Sequence, residues 1–550
     1  MLWKKSLAIF VALGGQLAAA AFNKVTAETA WTAMEPGWNV GNTLDAVPDE
    51  TSWGHRNTPV SQSLLDSIKA TGIKSVRIPV TWTDHFATQS PEYLVNTTWM
   101  DRVEQVVDWA LERQLWVVIN VHHDSWQWAD LSVDTDLNAK FAKLEALWTQ
   151  IAARFKWKSE KLLFETLNEP VGSTQEHADR YNDLNQRFVN IVRGSGGYNA
   201  DRLLTLPGLN CNIQNTVNWF VVPANATPWI LHVHDYDPWS FVATSWGQTF
   251  WGTDDDKSAI EATFIALQDQ FAAPVLLGEW GTGGNGVEKG SSWIYFDYFA
   301  RTTKAYNLTA QLWDNGEHFD RVAMKWRDPT QEAVMFNAVK GITNTLPSYN
   351  QPASIYSKIN AAVVSQDIAL DFNNNTILSV VNAGGKTLAR GQEYAVTATG
   401  ITIPATYLST VFTGSLGIKD TLTVKSNHGV DLPFDVILYD APTLSQNSYT
   451  LSTAANDLYI PFDGKGSTLA TVQAVCADGT FLKDTWTQWL GPLQQGRINW
   501  GDFGVSGNNI VLYAALLAYV QTAAQPVTFT FEFWPRTVPN NVTAAVTISS

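Results

Sequence analysis

The sequence predicts an α/β protein, a (β/α)8 TIM barrel followed by two smaller all-β modules. Three observations carry that prediction. Apolar, strand-like runs alternate with helix-period segments from about residue 35 to residue 345, and eight such runs can be counted. Beyond residue 346 helical periodicity nearly disappears and strand patterns with turns replace it. At 550 residues the chain is also long enough for two or three domains.

The eight strand candidates are 37–44, 75–82, 116–123, 162–169, 202–209, 229–236, 274–280 and 309–314. Most are apolar on both faces, as parallel strands covered by helices tend to be. Amphipathic helices fall between them. Met100, Val103, Val106, Val107, Ala110 and Leu111 recur at helical spacing before the third strand. Tyr181, Leu184, Phe188, Ile191 and Val192 do so after the fourth, where Gly194-Ser195-Gly196-Gly197 stops the helix. A doubly wound open sheet is the competing arrangement, but it usually carries a Gly-rich phosphate turn after its first strand, and none is visible. The barrel is assigned to 22–350.

Residues 1–21 have the order of a secretory signal peptide. Lys4 and Lys5 precede an apolar run over 7–13, and small residues follow over 18–21. The run is too short to span a bilayer comfortably, and no later apolar stretch spans one. The protein is therefore expected to be secreted and extracellular. Cys211 and Cys476 fall in different predicted domains, and neither is expected to be structural. Sequons at Asn96, Asn225, Asn307, Asn374 and Asn541 would carry glycans in a eukaryotic source.

After residue 346, Pro347, Asn350 and Pro352 read as a linker. Ile368, Leu370 and Phe372 then alternate with polar or small residues, as do Leu422 and Val424, which predicts a small β-sandwich over 351–443. A second break near Pro442 opens a β-rich module over 444–550. There Val527, Phe529, Phe531 and Phe533 alternate with Thr528, Thr530 and Glu532, giving one buried and one wet face. The segment 509–521 is compatible with strand or helix.

The net charge of −16 argues against nucleic acid or an anionic membrane surface as the main partner. A neutral polysaccharide needs no complementary charge. The 25 Trp offer flat faces on which sugars stack, although about half are assigned to core.

In a barrel of this kind the active site lies at the carboxyl ends of the strands. The sequence places Asn39, Arg77, His122, Asn168, Glu169, His234, Tyr236, Glu279 and Trp313 there. Two carboxylates are the minimal equipment for glycoside hydrolysis, and Glu169 and Glu279 end strands four and seven on opposite sides of the barrel. Glu165, four residues before Glu169, is read as a buried, paired structural carboxylate. His122 and His123 might suggest a metal, but neighbours on a strand point to opposite sides, so no metal site is assigned. No His-Glu-x-x-His occurs, and Gly504-Val505-Ser506-Gly507 lacks the last Gly of a serine-hydrolase elbow.

Phe164-Glu165-Thr166-Leu167-Asn168-Glu169-Pro170 resembles the Asn-Glu-Pro signature of glycoside hydrolase family 5. The resemblance extends to Gly37-Trp38-Asn39-Val40-Gly41-Asn42-Thr43, Arg77-Ile78-Pro79-Val80-Thr81-Trp82, Asn120-Val121-His122-His123-Asp124, His234-Asp235-Tyr236, Gly278-Glu279-Trp280 and Trp313-Asp314-Asn315. The run 122–126 is similar to subfamily 4, whose members act on cellulose, mixed-linkage β-glucan and xyloglucan. The resemblance implies Glu169 as general acid/base and Glu279 as nucleophile of a retaining reaction. Arg77 and Tyr236 would keep the nucleophile ionised, and His234 would partner Glu169. Asn168 would donate to the sugar 2-hydroxyl, while His122 and Trp313 would line the subsite beside the scissile bond, and His123 is a further candidate substrate contact. Asn39 completes the candidate substrate contacts.

The two β modules resemble an immunoglobulin-like X2 module and a family 46 carbohydrate-binding module. The second resemblance rests on Ala477-Asp478-Gly479-Thr480, 486–490 and Ile498-Asn499-Trp500, and makes Trp486, Trp489 and Trp500 candidate sugar platforms. In relatives with that arrangement the last module can fold back and extend the cleft. Trp53, Trp126, Trp128, Trp239, Trp246 and Trp251 are expected to line the loops after the strands. The reading is a monomeric, cofactor-free endo-β-1,4-glucanase. A mannan-preferring hydrolase and an inactive carbohydrate-binding protein are the alternatives.

Overall fold

The computed structural model describes residues 22–53, 58–243, 248–283, 287–483, 495–498, 501–536 and 540–548. Eight parallel strands close into a barrel in chain order: β1 (Gly37–Asn39), β2 (Ser75–Ile78), β3 (Trp116–Asn120), β4 (Leu162–Glu165), β5 (Leu204–Asn212), β6 (Trp229–Asp235), β7 (Val275–Trp280) and β8 (Leu308–Leu312). The ring is completed by β1 against β8, with Gly37 opposite Gln311 and Trp38 opposite Leu312. Each predicted run overlaps one of these strands, although β5 continues past the end of its run and β8 begins before its run. Several runs were drawn too long because the chain just past the strand is also apolar and buried, as at Val40, Leu44, Val80, Trp82 and Val121.

Helices cover the outside of the barrel as their periodicity requires. Thr97–Glu112 buries Trp99, Met100, Val103, Val106, Val107 and Ala110, and the Asn96 side chain accepts from the Thr98 N–H to cap it. Gln175–Gly194 buries Tyr181, Leu184, Phe188 and Val192, and ends at Gly194. The amino-terminal helix Ala27–Met34 plugs the floor, where Ala27, Ala30 and Met34 pack on Trp116, Val118, Leu163, Ile230 and Leu276.

The first β module consists of two four-stranded sheets. Leu346–Pro347, Gln366–Asp371, Gly400–Ile403 and Ala395–Thr397 form one, and Ser354–Lys358, Leu432–Tyr439, Gly417–Ser426 and Ile377–Val381 the other. The expected linker is therefore a correction: Leu346 and Pro347 pair with Asp371 and Leu370 as an edge strand, where a proline is tolerated. The junction is also tied by side chains. Glu288 accepts from the Ala353 N–H at 2.7 Å, and Asn344 donates to Asp297 at 2.6 Å. One hydrophobic core runs without a break from the barrel into this sandwich.

The second module has its own core. Val527, Phe529, Phe531 and Phe533 are all fully buried, so the alternating pattern was read correctly. The ambiguous segment is both elements in turn, strand Asn509–Leu512 and helix Ala514–Ala523. This module touches the barrel where Arg536 donates to Thr249 at 2.8 Å, on the segment following β6. Cys211 and Cys476 are buried and not joined in a disulfide. No helix among the described residues is long and apolar enough to cross a membrane. The signal-peptide reading of 1–21 lies outside the described residues.

Candidate active site

The site is built on one buried arginine. Arg77, on β2, directs Nε and Nη2 to the two oxygens of Glu165 at 2.7 and 2.8 Å, a forked pairing that lysine cannot make. Its Nη1 reaches Glu279 Oε1 at 2.6 Å and Asn39 Oδ1 at 3.0 Å, and Nη2 also reaches Asn168 Oδ1 at 2.7 Å. Burial disfavours the charge, but Glu165 and Glu279 outweigh it and raise the Arg77 pKa. Burial likewise opposes the charge on Glu165, yet Arg77 holds its carboxyl down at about 2. The reading of Glu165 as a paired structural carboxylate agrees with this geometry.

Two expected substrate contacts sit elsewhere. Arg77 and Asn39 are fully buried beneath the site floor. Asn39 Nδ2 donates to the carbonyls of Gly278, Gln311 and Leu312, so its amide stitches β1 to β7 and β8. Both residues position the groups above them. The strand-end rule gives the correct end of the barrel and says nothing of depth.

Glu279 accepts from Arg77 and, through Oε2, from the Tyr236 hydroxyl at 2.9 Å. Glu169 lies just beyond β4 with a left-handed backbone, φ 39°, and its side chain is 47% exposed. Its Oε1 is 2.9 Å from His234 Nδ1. Burial opposes ionisation of Glu169, but the His234 hydrogen bond and charge bring its pKa below the usual value. His234 moves the other way. Burial opposes its charge, while Glu279, Cys211 and Glu169 together raise it well above the ordinary imidazole range. Burial, followed by the Glu279 charge, raises the Tyr236 phenol. Single oxygens of Glu169 and Glu279 and a nitrogen of His234 lie within 4.8 Å of one another.

Neighbouring hydrogen bonds settle two side-chain orientations. Asn120 Oδ1 accepts from the Val80 N–H, so its Nδ2 is the atom facing Glu165 at 2.9 Å and His122 Nδ1 at 3.0 Å. His122 Nδ1 must accept, which leaves its proton on Nε2. Burial keeps this ring neutral, with its pKa well below the ordinary imidazole range. Asn168 gives its oxygen to Arg77, so its amide N–H groups are left to donate elsewhere. The Trp313 ring is parallel to His122, with centroids 5.9 Å apart, and packs over the backbone of Gly41.

His122 and His123 correct one expectation. The strand ends at Asn120 and His123 already has helical angles, so the two rings do not diverge but lie 4.4 Å apart. Asp45 is close to both, with its oxygens accepting from the Asn42 and Thr43 N–H groups. His123 is wedged between Trp53, 4.8 Å away, and Trp126, whose indole donates to it at 3.1 Å. Trp126 and Trp239 are 55% and 44% exposed, one beside His123 and the other edge-on to Tyr236. Trp128 is half-buried under the Lys143 ammonium, and Trp251 is wholly core against Tyr295. Trp246, Trp486, Trp489 and Trp500 lie outside the described residues.

Sequence reasoning missed His232 and Cys211. His232 is two residues before His234 on β6, so strand alternation puts both rings on the same face, with their Nε2 atoms 3.0 Å apart. Cys211 sits in a bulge of β5 where Asn210 and Cys211 both have positive φ, and its Sγ accepts from the Glu169 N–H at 3.3 Å. Nothing in the sequence marks that bulge.

Comparison with known proteins agrees with this geometry. The family model for cellulases of glycosyl hydrolase family 5 matches residues 30–319, and that for the carbohydrate-binding domain X2 matches 350–436. An endoglucanase B of Paenibacillus lautus is 34% identical over 539 residues, covering 92% of this chain and 90% of that protein. A tri-modular subfamily 4 endo-β-1,4-glucanase of Bacillus licheniformis, solved with cellotetraose, superposes with a TM-score of 0.83 at 36% identity. That match covers 96% of this chain and 100% of the other. The tri-modular endo-β-1,4-glucanase B of Bacillus halodurans gives 0.77 at 30% identity, over 96% and 100%.

Proposed function

The chain belongs to glycosyl hydrolase family 5, and we propose that it is a secreted endo-β-1,4-glucanase that cuts by double displacement, with Glu279 as nucleophile and Glu169 as acid/base. The observation that carries this reading is the placement of the two carboxylates. They come from opposite sides of the barrel and bring oxygens within 4.8 Å of each other. Retaining enzymes hold their carboxyl groups about 5–5.5 Å apart, whereas inverting ones need about 6.5–9.5 Å to admit a water.

In the first step Glu279 attacks the anomeric carbon as the glycosidic bond breaks, and Glu169 delivers a proton to the departing oxygen. The proton reaches Glu169 from Nδ1 of His234, which shares it at 2.9 Å. The product is a glycosyl ester on Glu279 and a freed chain end. In the second step Glu169 takes a proton from water, the water oxygen attacks the same carbon, and Glu279 leaves as carboxylate. Arg77 and Tyr236 each hold one oxygen of Glu279 and so fix the carboxylate's direction. Asn168 donates to the 2-hydroxyl, a contact that strengthens as the ring approaches an oxocarbenium ion. His122 offers its Nε2–H to the same sugar, and Trp313 provides the flat face beneath it.

The exposed rings of Trp126, beside His123, and Trp239, beside Tyr236, offer open aromatic surface that favours an extended β-glucan chain. Cellulose, mixed-linkage β-glucan and xyloglucan are the substrates proposed. The test is reducing-sugar release from barley β-glucan, xyloglucan, carboxymethyl cellulose and mannan, with the first-formed anomer followed by NMR. Release of β-anomer from a glucan, lost in E279A, is expected. Release of α-anomer would overturn the double displacement, and release from mannan alone would overturn the substrate.

A further inference from the structure

We propose that Cys211, His232 and His234 form a buried site for a thiophilic metal cation of the zinc and cadmium class, directly beneath Glu169, through which such a cation silences the enzyme. The three residues come from neighbouring strands, β5 and β6. One ligand atom from each lies within 4.8 Å of the others. The two Nε2 atoms are 3.0 Å apart. Two imidazole nitrogens on a tetrahedral ion with bonds of about 2.0–2.1 Å stand about 3.3 Å apart, so a few tenths of an ångström suffice to admit it. A thiolate with two imidazoles selects soft and borderline cations over magnesium or calcium.

The surroundings are those of a built site. A histidine that binds metal through one nitrogen usually directs the other at a carboxylate, and here both do. His234 Nδ1 is 2.9 Å from Glu169, and His232 Nδ1 faces Glu165 at 3.8 Å. That second distance is too long for a hydrogen bond, so a fully buried ring nitrogen of His232 is left without one. The His232 ring occupies its place because residue 278 is glycine; a Cβ there would stand 2.2 Å from His232 Cε1. The positive-φ bulge at Asn210 and Cys211 supplies the thiol.

Binding is balanced by proton release. The Cys211 thiol gives its proton to solvent and its sulfur to the ion, and the proton between the two Nε2 atoms leaves as their lone pairs bind. Each imidazole then keeps a single proton on Nδ1. His234 then keeps its N–H on Glu169 and could hand that proton over only by becoming a metal-bound imidazolate, so it is a far weaker acid than the imidazolium it replaces. The inhibition rests on the proposed role of Glu169, whereas the binding does not.

The experiment is a cadmium titration of the full chain, freed of metal with a chelator, with thiolate-to-cadmium absorbance and β-glucan hydrolysis read in parallel. One equivalent should develop the absorbance, and activity should fall with the same midpoint and return on adding chelator. C211S should abolish the absorbance and H232N should raise its midpoint, and each variant should raise the inhibition midpoint by about 10–100-fold, judged against its own uninhibited rate. C476S should leave both unchanged. Absorbance that survives C211S and H232N but disappears in C476S would overturn the assignment. So would inhibition that ignores C211S and H232N, since it would place the ion on the Glu169 and Glu279 carboxylates. Absence of thiolate absorbance in the parent would also overturn it, and because that readout needs no substrate it is distinct from failure of the proposed activity.

Discussion

Arg77 joins Glu165 to Glu279 through a single guanidinium, with Nε and Nη2 on the first and Nη1 on the second. The two carboxylates are thereby held in one charge network although only Glu279 faces the cleft. Lysine offers one ammonium and cannot satisfy both. Arg77→Lys is expected to lower kcat by at least about a hundredfold and to destabilise the fold by about 3–5 kcal/mol, the usual effect of leaving a buried charge unpaired. Chemical denaturation beside steady-state kinetics checks both.

The two carboxylates of the site should fail in different ways. Glu279→Ala is expected to lose activity and to regain turnover with azide, giving product of inverted anomer. Glu169→Ala should lose about 10²–10⁴-fold on polysaccharide yet spare aryl glycosides whose leaving group needs no proton. Kinetics on both substrate types, with and without azide, separate the roles. Normal turnover of cellulose by both variants would defeat the assignment.

Gly41 holds a space that Trp313 needs. A Cβ there would stand 2.6 Å from the indole Cζ2, so Gly41→Ala should displace the ring from its place beside His122. In a rigid core such overpacking would cost about 1–3 kcal/mol. The expected outcome is a raised KM on β-glucan with the melting temperature little changed, because a half-buried ring at the cleft can shift where a core ring cannot.

Glu35 predicts a pH dependence of stability. Burial, only partly offset by Lys304, pushes its carboxyl up from 4.5 to about 7, in a cranny lined by Trp280, Met335 and Val339. Between these values the folded state binds more protons than the unfolded one, so stability falls as pH rises through the window. Glu35→Gln should match the parent at pH 4 and exceed it at pH 8 by about 1–3 kcal/mol. Denaturant melts at the two pH values provide the comparison.

Much of this was legible in the sequence because barrels announce themselves by alternation. Eight buried strands need eight apolar runs, and the helix between β2 and β3 shows its buried face as Met100, Val103, Val106, Val107 and Ala110. The pairing of Glu169 with His234 and of Glu279 with Arg77 and Tyr236 was what the family resemblance implied. Depth was not legible. Arg77 and Asn39 stand at strand ends like the residues above them, and only three-dimensional packing shows their polar groups satisfied from below. Backbone departures were also hidden. The turn that brings His123 beside His122 and the bulge that brings Cys211 under Glu169 depend on angles that residue type does not declare. Pro347 was misread because proline suits a linker and an edge strand equally well.

The unbroken core that passes from the barrel into the first sandwich also governs how the molecule comes apart. Elements that share buried apolar contacts unfold together, whereas a module with its own interior can melt alone. Calorimetry should therefore record two endotherms from three modules. The larger belongs to barrel and first sandwich as one cooperative unit, and the smaller to the carboxyl-terminal module with its separate cluster around Phe529 and Phe531. Cutting the chain after the barrel would then expose an interior surface, while removing the last module would leave a protein that still melts in a single step.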